Sequence, residues 1–208
     1  MLDIYIAQTR GYESNCYMLV SGGEAAVVDP SVPLSAFNIP EGIKVTKILL
    51  THGHFDHILE LDSYLNDGVE VFISENDAFM LKDSMGNASS LFGLPPVRSV
   101  AKPITVRDGA LIYLADQRIE VFSTPGHTEG SVCYITEDAM FSGDTLFSDG
   151  IGRCDLIGGD ICKMRASLKR LAALDHNYKV YPGHGELTYL NKEKKYNYEL
   201  SRFNAQNK

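Results

Sequence analysis

The stretch "LLTHGHFDHILELDSYL", Leu49–Leu65, places three of the chain's six histidines and an aspartate within six consecutive positions. An apolar run leads into the cluster, and a roughly helical pattern leads out of it through Ile58, Leu61 and Leu65. In an extended or tightly looped segment, side chains two positions apart point to the same side. His52 and His54 can therefore turn both rings toward one ion. Asp56 and His57 sit where helical character begins, displaced from that pair, and suit a second ion close by. Imidazole nitrogen is the commonest neutral ligand for zinc and its relatives. A lone histidine at a strand end is ordinarily a plain polar group; it is the density of this cluster that points to metal.

The surrounding composition narrows the class. With 208 residues, 44% hydrophobic and 22% charged, the chain reads as one globular domain able to bury most of its apolar surface. A net charge of −8 repels a nucleic-acid backbone, and no dense Lys/Arg run offsets it. The mixed-charge tail "NKEKKYNYELSR" reads as a solvated helix face. No stretch approaches membrane-spanning length, and "MLDIYIAQTR" lacks a basic leader region. The cysteines Cys16, Cys133, Cys154 and Cys162 are dispersed without a CxxC pair, as in a reduced cytoplasmic protein.

Short apolar or alternating runs predict strands at "LDIYIAQ", "CYMLV", "AAVVD", "VTKILLT" and "GVEVFIS" in the first half. The second half repeats the pattern with "ALIYLA", "RIEVFST", "SVCYIT", "AMFSG" and "YKVYP". Helices are expected over "ILELDSYLND", from Glu75 to Lys82, over "ICKMRASLKRLAAL", and from Tyr189 onward. Two strand-rich halves, each followed by helices, imply an α/β or α+β fold with helices outside the sheets. Residues 84–100, rich in Gly, Ser and Pro, read as a long loop or lid, with Met85, Leu91 and Phe92 available to cover an acyl group.

Three further places share one look, a strand end running into glycine and a ligand-type side chain. They are "STPGHTEGS" with His127, "FSGDTLF" with Asp144 and "VYPGHGE" with His184. Ligands carried on loops at strand ends suit a site on a rigid sheet rim. His176, in "LDHNYK", lacks the glycine and reads as a surface residue. His52, His54 and His127 then give three nitrogens to one ion. Asp56, His57 and His184 serve a second, and Asp144 bridges the two. Three protein ligands per ion leave room for water or substrate, the mark of a catalytic site.

The set "THGHFDH", "PGHTEGS", "SGDTLF" and "YPGHG" resembles the metallo-β-lactamase-fold hydrolases, in this order and over nearly the whole chain. The resemblance implies a four-layer αββα sandwich with metals at one edge of the central sheets. "GDTLFSDGIGRCDLIGGD" is most similar to the glyoxalase II group, and to its short bacterial branch in particular. That group hydrolyses S-acylglutathione thioesters. The resemblance therefore implies two divalent ions, zinc first with iron or manganese as alternatives, and a small anionic thioester substrate. In longer members a lysine at the position of Arg153 grips the glutathione carboxylate, which implies a substrate-binding role for Arg153. The competing reading is a loop-fixing pair with Asp155. Departures from the group's pattern are Leu59 and Glu60 in place of a glycine pair, and "GELTY" after the last motif histidine.

Metal coordination lowers the pKa of bound water to about 7, making hydroxide available to attack a thioester carbonyl. Asp56 is expected to hold its ion and orient that nucleophile. Asn15 and Tyr17, in "SNCYML", are placed either along the approach or in strand-end packing. The main alternative on the same resemblance is a persulfide dioxygenase-like enzyme with one iron on His54 or His52, His127 and Asp144. Lactonase, β-lactamase and phosphodiesterase activities share the hydroxide chemistry, and a non-catalytic binding protein is the reading from another class.

Overall fold

Strand-forming runs in the first half pair into a six-stranded mixed sheet in the computed structural model, which describes residues 1–9 and 11–203. Its strands are β1 (Asp3–Ala7), β2 (Cys16–Ser21), β3 (Glu24–Val28), β4 (Lys44–Leu49), β5 (Glu70–Ser74) and β6 (Ile104–Val106), adjacent in that order. The first three are antiparallel, and β3 through β6 run parallel. At the "SGGE" turn Ser21 faces Glu24, and Gly22 and Gly23 both take the positive φ that a tight hairpin needs.

The second half supplies β7 (Leu111–Leu114), β8 (Gln117–Ser123), β9 (Val132–Ile135) and β10 (Ala139–Gly143). A small hairpin of β11 (Leu146–Phe147) and β12 (Gly150–Ile151) follows, then β13 (Lys179–Pro182) and β14 (Thr188–Tyr189). The second sheet is ordered β14-β13-β10-β9-β8-β7, with the β10–β13 pair parallel and its other pairs antiparallel.

Three apolar layers show how the sheets stack. Tyr17, Leu19, Val28 and Leu49 of the first sheet meet Val121, Tyr134, Phe141 and Tyr181 of the second, so the sheets pack face to face. On the outer face of the second sheet, Cys133, Met140 and Val180 bury Met164, Leu168 and Leu171 of α1 (Ile161–Ala172) and Leu190 of α2 (Leu190–Tyr196). The 4- and 3-residue spacing of those α1 leucines and methionine is one helix face. Asp160 caps its start, accepting hydrogen bonds from the Cys162 and Lys163 amides. The other outer face, with Ile48, Leu50 and Ile73, is covered by Phe37, Leu61, Tyr64 and Leu81. The arrangement is the αββα sandwich.

That fourth layer differs from expectation in its local form. Where helices were expected over "ILELDSYLND" and Glu75–Lys82, the chain makes short 3₁₀ segments at Leu61–Tyr64 and Ala78–Leu81. Each lies in a connection between strands that holds Asp, Asn and Ser in or beside the segment, and their side chains compete for backbone hydrogen bonds. Segments this short gain little from helix propagation, so tertiary burial of Leu61, Tyr64 and Leu81 fixes them instead. The closing helix, expected from Tyr189, ends at Tyr196 and gives way to a 3₁₀ turn at Ser201–Phe203; the expected helix beyond 203 falls outside the described residues. No helix of the described residues is long and apolar enough to cross a membrane, and the four cysteines are unpaired.

Candidate metal centre

Each ligand-type residue follows the carboxyl end of a strand: His52, His54, Asp56 and His57 after β4, His127 after β8, Asp144 after β10 and His184 after β13. Face-to-face packing brings those four strand ends to one rim of the sandwich. Two glycines make the approach possible. A Cβ on Gly183 would come within 2.2 Å of Asp144 Oδ1, and one on Gly126, at φ +148°, within 2.4 Å of the Met164 backbone.

Six of the seven side chains assemble as two triads, and the seventh, Asp144, groups with His52 and His57. In the first, His52 Nε2 lies 3.1 Å from His54 Nδ1, which lies 2.9 Å from His127 Nε2. In the second, Asp56 Oδ2 lies 3.1 Å from His184 Nε2 and 3.7 Å from His57 Nε2. Asp144 stands between them, with Oδ1 3.3 Å from His57 Nε2, and Oδ2 3.4 Å from His127 Nε2 and 3.7 Å from His184 Nε2. Two donors bound tetrahedrally about 2.0–2.1 Å from one zinc stand about 3.3–3.4 Å apart. The observed separations cluster around that spacing. His57 Nε2 and Asp144 Oδ1 are also buried without any hydrogen-bond partner, a state that costs about 1–3 kcal/mol for each group unless something satisfies it. A cation between them would satisfy both, so the residues fit a dinuclear site.

The protonation states of His52 and His54 suit ligation. Burial, followed by the neighbouring imidazoles, pushes the His52 pKa well below its usual range. Burial, then His127, pushes His54 down to about 3. Both rings are therefore neutral, the form a metal needs. Burial opposes a charge on His57, but the carboxylates of Asp29, Asp56 and Asp144 together outweigh it and raise its pKa. Burial likewise opposes ionisation of Asp144, yet the positive charge of His57 beside it holds its carboxyl well below the usual range. This excess of opposite charge and rings is what a cation would replace.

Four supporting groups carry no clear signal in the sequence. Asp29, buried at the end of β3, accepts from His57 Nδ1 at 2.9 Å, from the Thr51 hydroxyl at 2.7 Å and from the Thr51 amide at 2.8 Å. The Thr51 hydroxyl in turn meets His52 Nδ1 at 3.1 Å. One carboxylate thus aims the Nε2 of two ligands. His127 is aimed by its own Nδ1–H, which donates to the Arg153 carbonyl at 2.7 Å. Asp77 is buried beneath the ligand loops, where it accepts from the Gly53 amide, the Gly130 amide and the Thr128 hydroxyl. Burial still pushes its carboxyl above the usual range. The available signal for Asp29 was a charged residue ending the apolar run "AAVVDP"; Asp77, in "SEND", looks like an ordinary solvated turn.

Replacing Asp29 by asparagine is expected to weaken metal binding about 10- to 100-fold, the usual effect of losing a partner that orients a ligand. Titration with a competing chelator measures this, and unchanged affinity would remove Asp29 from the site.

The other sequence-predicted residues divide. Arg153 lies on the wall of the cleft over the ligands but pairs with Asp155 through both Nε and Nη2, at 2.6 and 2.8 Å. The loop-fixing pair is thus formed, and hydrogen bonding to Arg153 holds the Asp155 carboxyl down at about 2. Asn15 and Tyr17 are buried in strand-end packing. Asn15 donates to the Pro182 and Gly185 carbonyls and Tyr17 to the Pro182 carbonyl, bracing the loop that carries His184. His176 is exposed, pairs with Asp138 and does not line the cleft. In the 84–100 segment, Phe92 lines the cleft whereas Met85 and Leu91 do not.

The family model described as the metallo-beta-lactamase superfamily matches residues 9–184. The chain is a member of the metallo-beta-lactamase superfamily. Among relatives, the probable metallo-hydrolase YqgX of Bacillus subtilis (strain 168) is 34% identical, covering 85% of this chain and 87% of its own. The hydroxyacylglutathione hydrolase GloC of Haemophilus influenzae is 29% identical over 94% of this chain and 97% of its own. Among solved structures, the BLEG-1 B3 metallo-beta-lactamase superposes with a TM-score of 0.84 at 31% identity, covering 97% of this chain and all of that one. Superfamily membership supports a metal-dependent hydrolase, and the His/Asp cluster fits a dinuclear metal site.

Proposed function

We propose that this protein is a metal-dependent thioester hydrolase of the glyoxalase II kind. The observation that carries the reading is the chemistry of the cleft wall. Apart from the metal-type ligands, Tyr12 and Arg153 are the only titratable side chains lining it among the described residues. No carboxylic acid or imidazole is left over to protonate a poor leaving group. A thiolate departs with less such help than an alkoxide needs. The resemblance of the loop 143–160 to the glyoxalase II group supports the same choice, as does a relative named as a hydroxyacylglutathione hydrolase.

Two divalent ions held by the triads would supply Lewis acidity and bring the ionisation of a water molecule to near neutral pH. The chain does the rest. His52, His54 and His127 would hold one ion and Asp56, His57 and His184 the other, with the Asp144 carboxylate standing between the two sets. Asp29, Thr51 and the Arg153 carbonyl lock three of the rings, so that no reorganisation is needed when charge develops on the substrate oxygen. Asp56 faces the cleft with Oδ2 3.1 Å from His184 Nε2, which places its carboxylate where it can orient a nucleophile.

The test is elemental analysis of the purified protein together with a hydrolysis panel of thioesters, a lactone, a β-lactam, a phosphodiester and, by oxygen uptake, glutathione persulfide. The expected result is about two equivalents of a divalent metal with the highest kcat/KM on thioesters. His176→Ala should stay within about twofold of the parent, as a surface change would. A preference for any other class, or oxygen uptake with a single iron, would overturn the thioesterase reading.

A further inference from the structure

Above the metal centre the cleft is walled by aromatic and aliphatic side chains. Tyr12, Phe55 and Phe92 form a ladder, with ring centroids 6.1 and 6.0 Å apart at successive steps. Leu94, Leu156 and Phe147 complete the walls, the last with its ring 6.2 Å from that of His184. The enclosed volume is about 540 Å³, within the range of small-molecule sites. Phe92 and Tyr12 are half exposed, at 51% and 58%, although large aromatics gain by burial.

The wall is built, not slack. Asn87 donates to the Met80 and Val97 carbonyls at 3.0 and 2.9 Å, and its own carbonyl receives the Phe55 amide at 3.0 Å. The segment that presents Phe92 is thereby tied to the segment that presents His54. Recognition of charge is correspondingly thin. Arg153 is the only Lys or Arg on the wall among the described residues, and both faces of its guanidinium fork that meet Asp155 are already engaged. Glutathione carries two carboxylates, and among the described residues the wall offers them only Arg153, which is already paired with Asp155.

We infer that the cleft selects a substrate with a large apolar group, aromatic or medium-chain alkyl, attached at the scissile thioester. Charged recognition of a glutathione carrier plays little part. The inference rests on the thioesterase reading for the identity of the bond cleaved, but the apolar subsite stands on its own geometry. The apolar group reaches the ladder from the carbonyl side or from the sulfur side; the chemistry is the same.

The experiment uses the metal-loaded protein and two substrate series. The first runs from acetyl to octanoyl and 4-phenylbutanoyl thioesters of N-acetylcysteamine, each paired with its glutathione thioester. The second is acetyl thioesters of ethanethiol, hexanethiol and benzyl mercaptan. In one series kcat/KM should climb about fourfold per buried methylene until the cleft is filled, and that series identifies the side. At equal acyl group, glutathione should bring no more than about a twofold gain. Phe92→Ala should cut the octanoyl-to-acetyl ratio about tenfold, the share of a ring-sized contact, with Tyr12→Ala as a second, equally exposed position. Flat series, or a tenfold preference for glutathione at equal acyl group, would overturn the inference. Calorimetric binding of 4-phenylbutyrate against acetate gives a reading independent of turnover. If no thioester is cleaved, the thioesterase reading fails, and tight 4-phenylbutyrate binding lost in Phe92→Ala still upholds the apolar subsite; equal binding of the two acids ends it.

Discussion

Changing His54 to alanine is expected to lower hydrolysis on the order of 10³-fold or more, the loss of several kcal/mol of transition-state stabilisation that a misplaced or absent cation entails. His54 Nδ1 is the middle member of the first triad, within 3.1 Å of His52 Nε2 and 2.9 Å of His127 Nε2. Removing it takes away the donor that stands between the other two nitrogens, leaving two nitrogens and the shared Asp144, a weaker hold that also displaces the ion. Metal content should fall from about two equivalents to about one. The fold should persist, because His54 belongs to none of the three apolar layers. Its pKa, already held down at about 3 by burial first, means that no charge is stranded by the change. Near-native circular dichroism with activity lost is therefore the expected pairing. Full activity, or loss of activity through unfolding alone, would place the first ion elsewhere.

The candidate ligands were legible because their signal is local. His52, His54, Asp56 and His57 are close in sequence, and the remaining three each announce themselves by glycine after a strand. What could not be read is who aims them. Asp29 lies 28 positions from His57, and Asp77 lies 53 from Gly130. Those pairings exist only once β3, β4, β5 and the second sheet have docked. The sheets were legible for a similar reason, since burial on both faces leaves continuous apolar runs such as "CYMLV" and "AAVVD". The layer over β4 and β5 was misjudged in its local geometry. Apolar residues at Ile58, Leu61 and Leu65 are helix-spaced, but spacing reports which residues must be buried and not how the backbone between them turns. In that layer burial is met by 3₁₀ turns, and periodicity alone does not separate the two.

Asp77 gives the second large effect, through structure rather than ligation. It is fully buried, and its Oδ1 receives the Gly130 amide at 2.8 Å while Oδ2 receives the Thr128 hydroxyl at 2.7 Å and the Gly53 amide at 3.2 Å. Gly53 sits between His52 and His54, and Thr128 follows His127, so one carboxylate ties together the two loops of the first triad. Asp77→Ala would strand two buried amides, each costing about 1–3 kcal/mol. The Thr128 hydroxyl keeps Ser131 Oγ at 2.7 Å and is spared. A loss of about 4 kcal/mol is expected, lowering the midpoint of thermal unfolding by about 8–16 °C for a domain of this size. Asp77→Asn keeps one acceptor oxygen and should lose about half as much. The site readout separates a clamp from a mere strut. At a temperature where the variant is still folded, a clamp predicts faster release of metal to a chelator, because His54 and His127 no longer share a fixed frame. A strut predicts a lower unfolding temperature with metal release unchanged. Stability and metal retention falling together in Asp77→Ala, and both partly restored in Asp77→Asn, is the result the hydrogen-bond geometry requires.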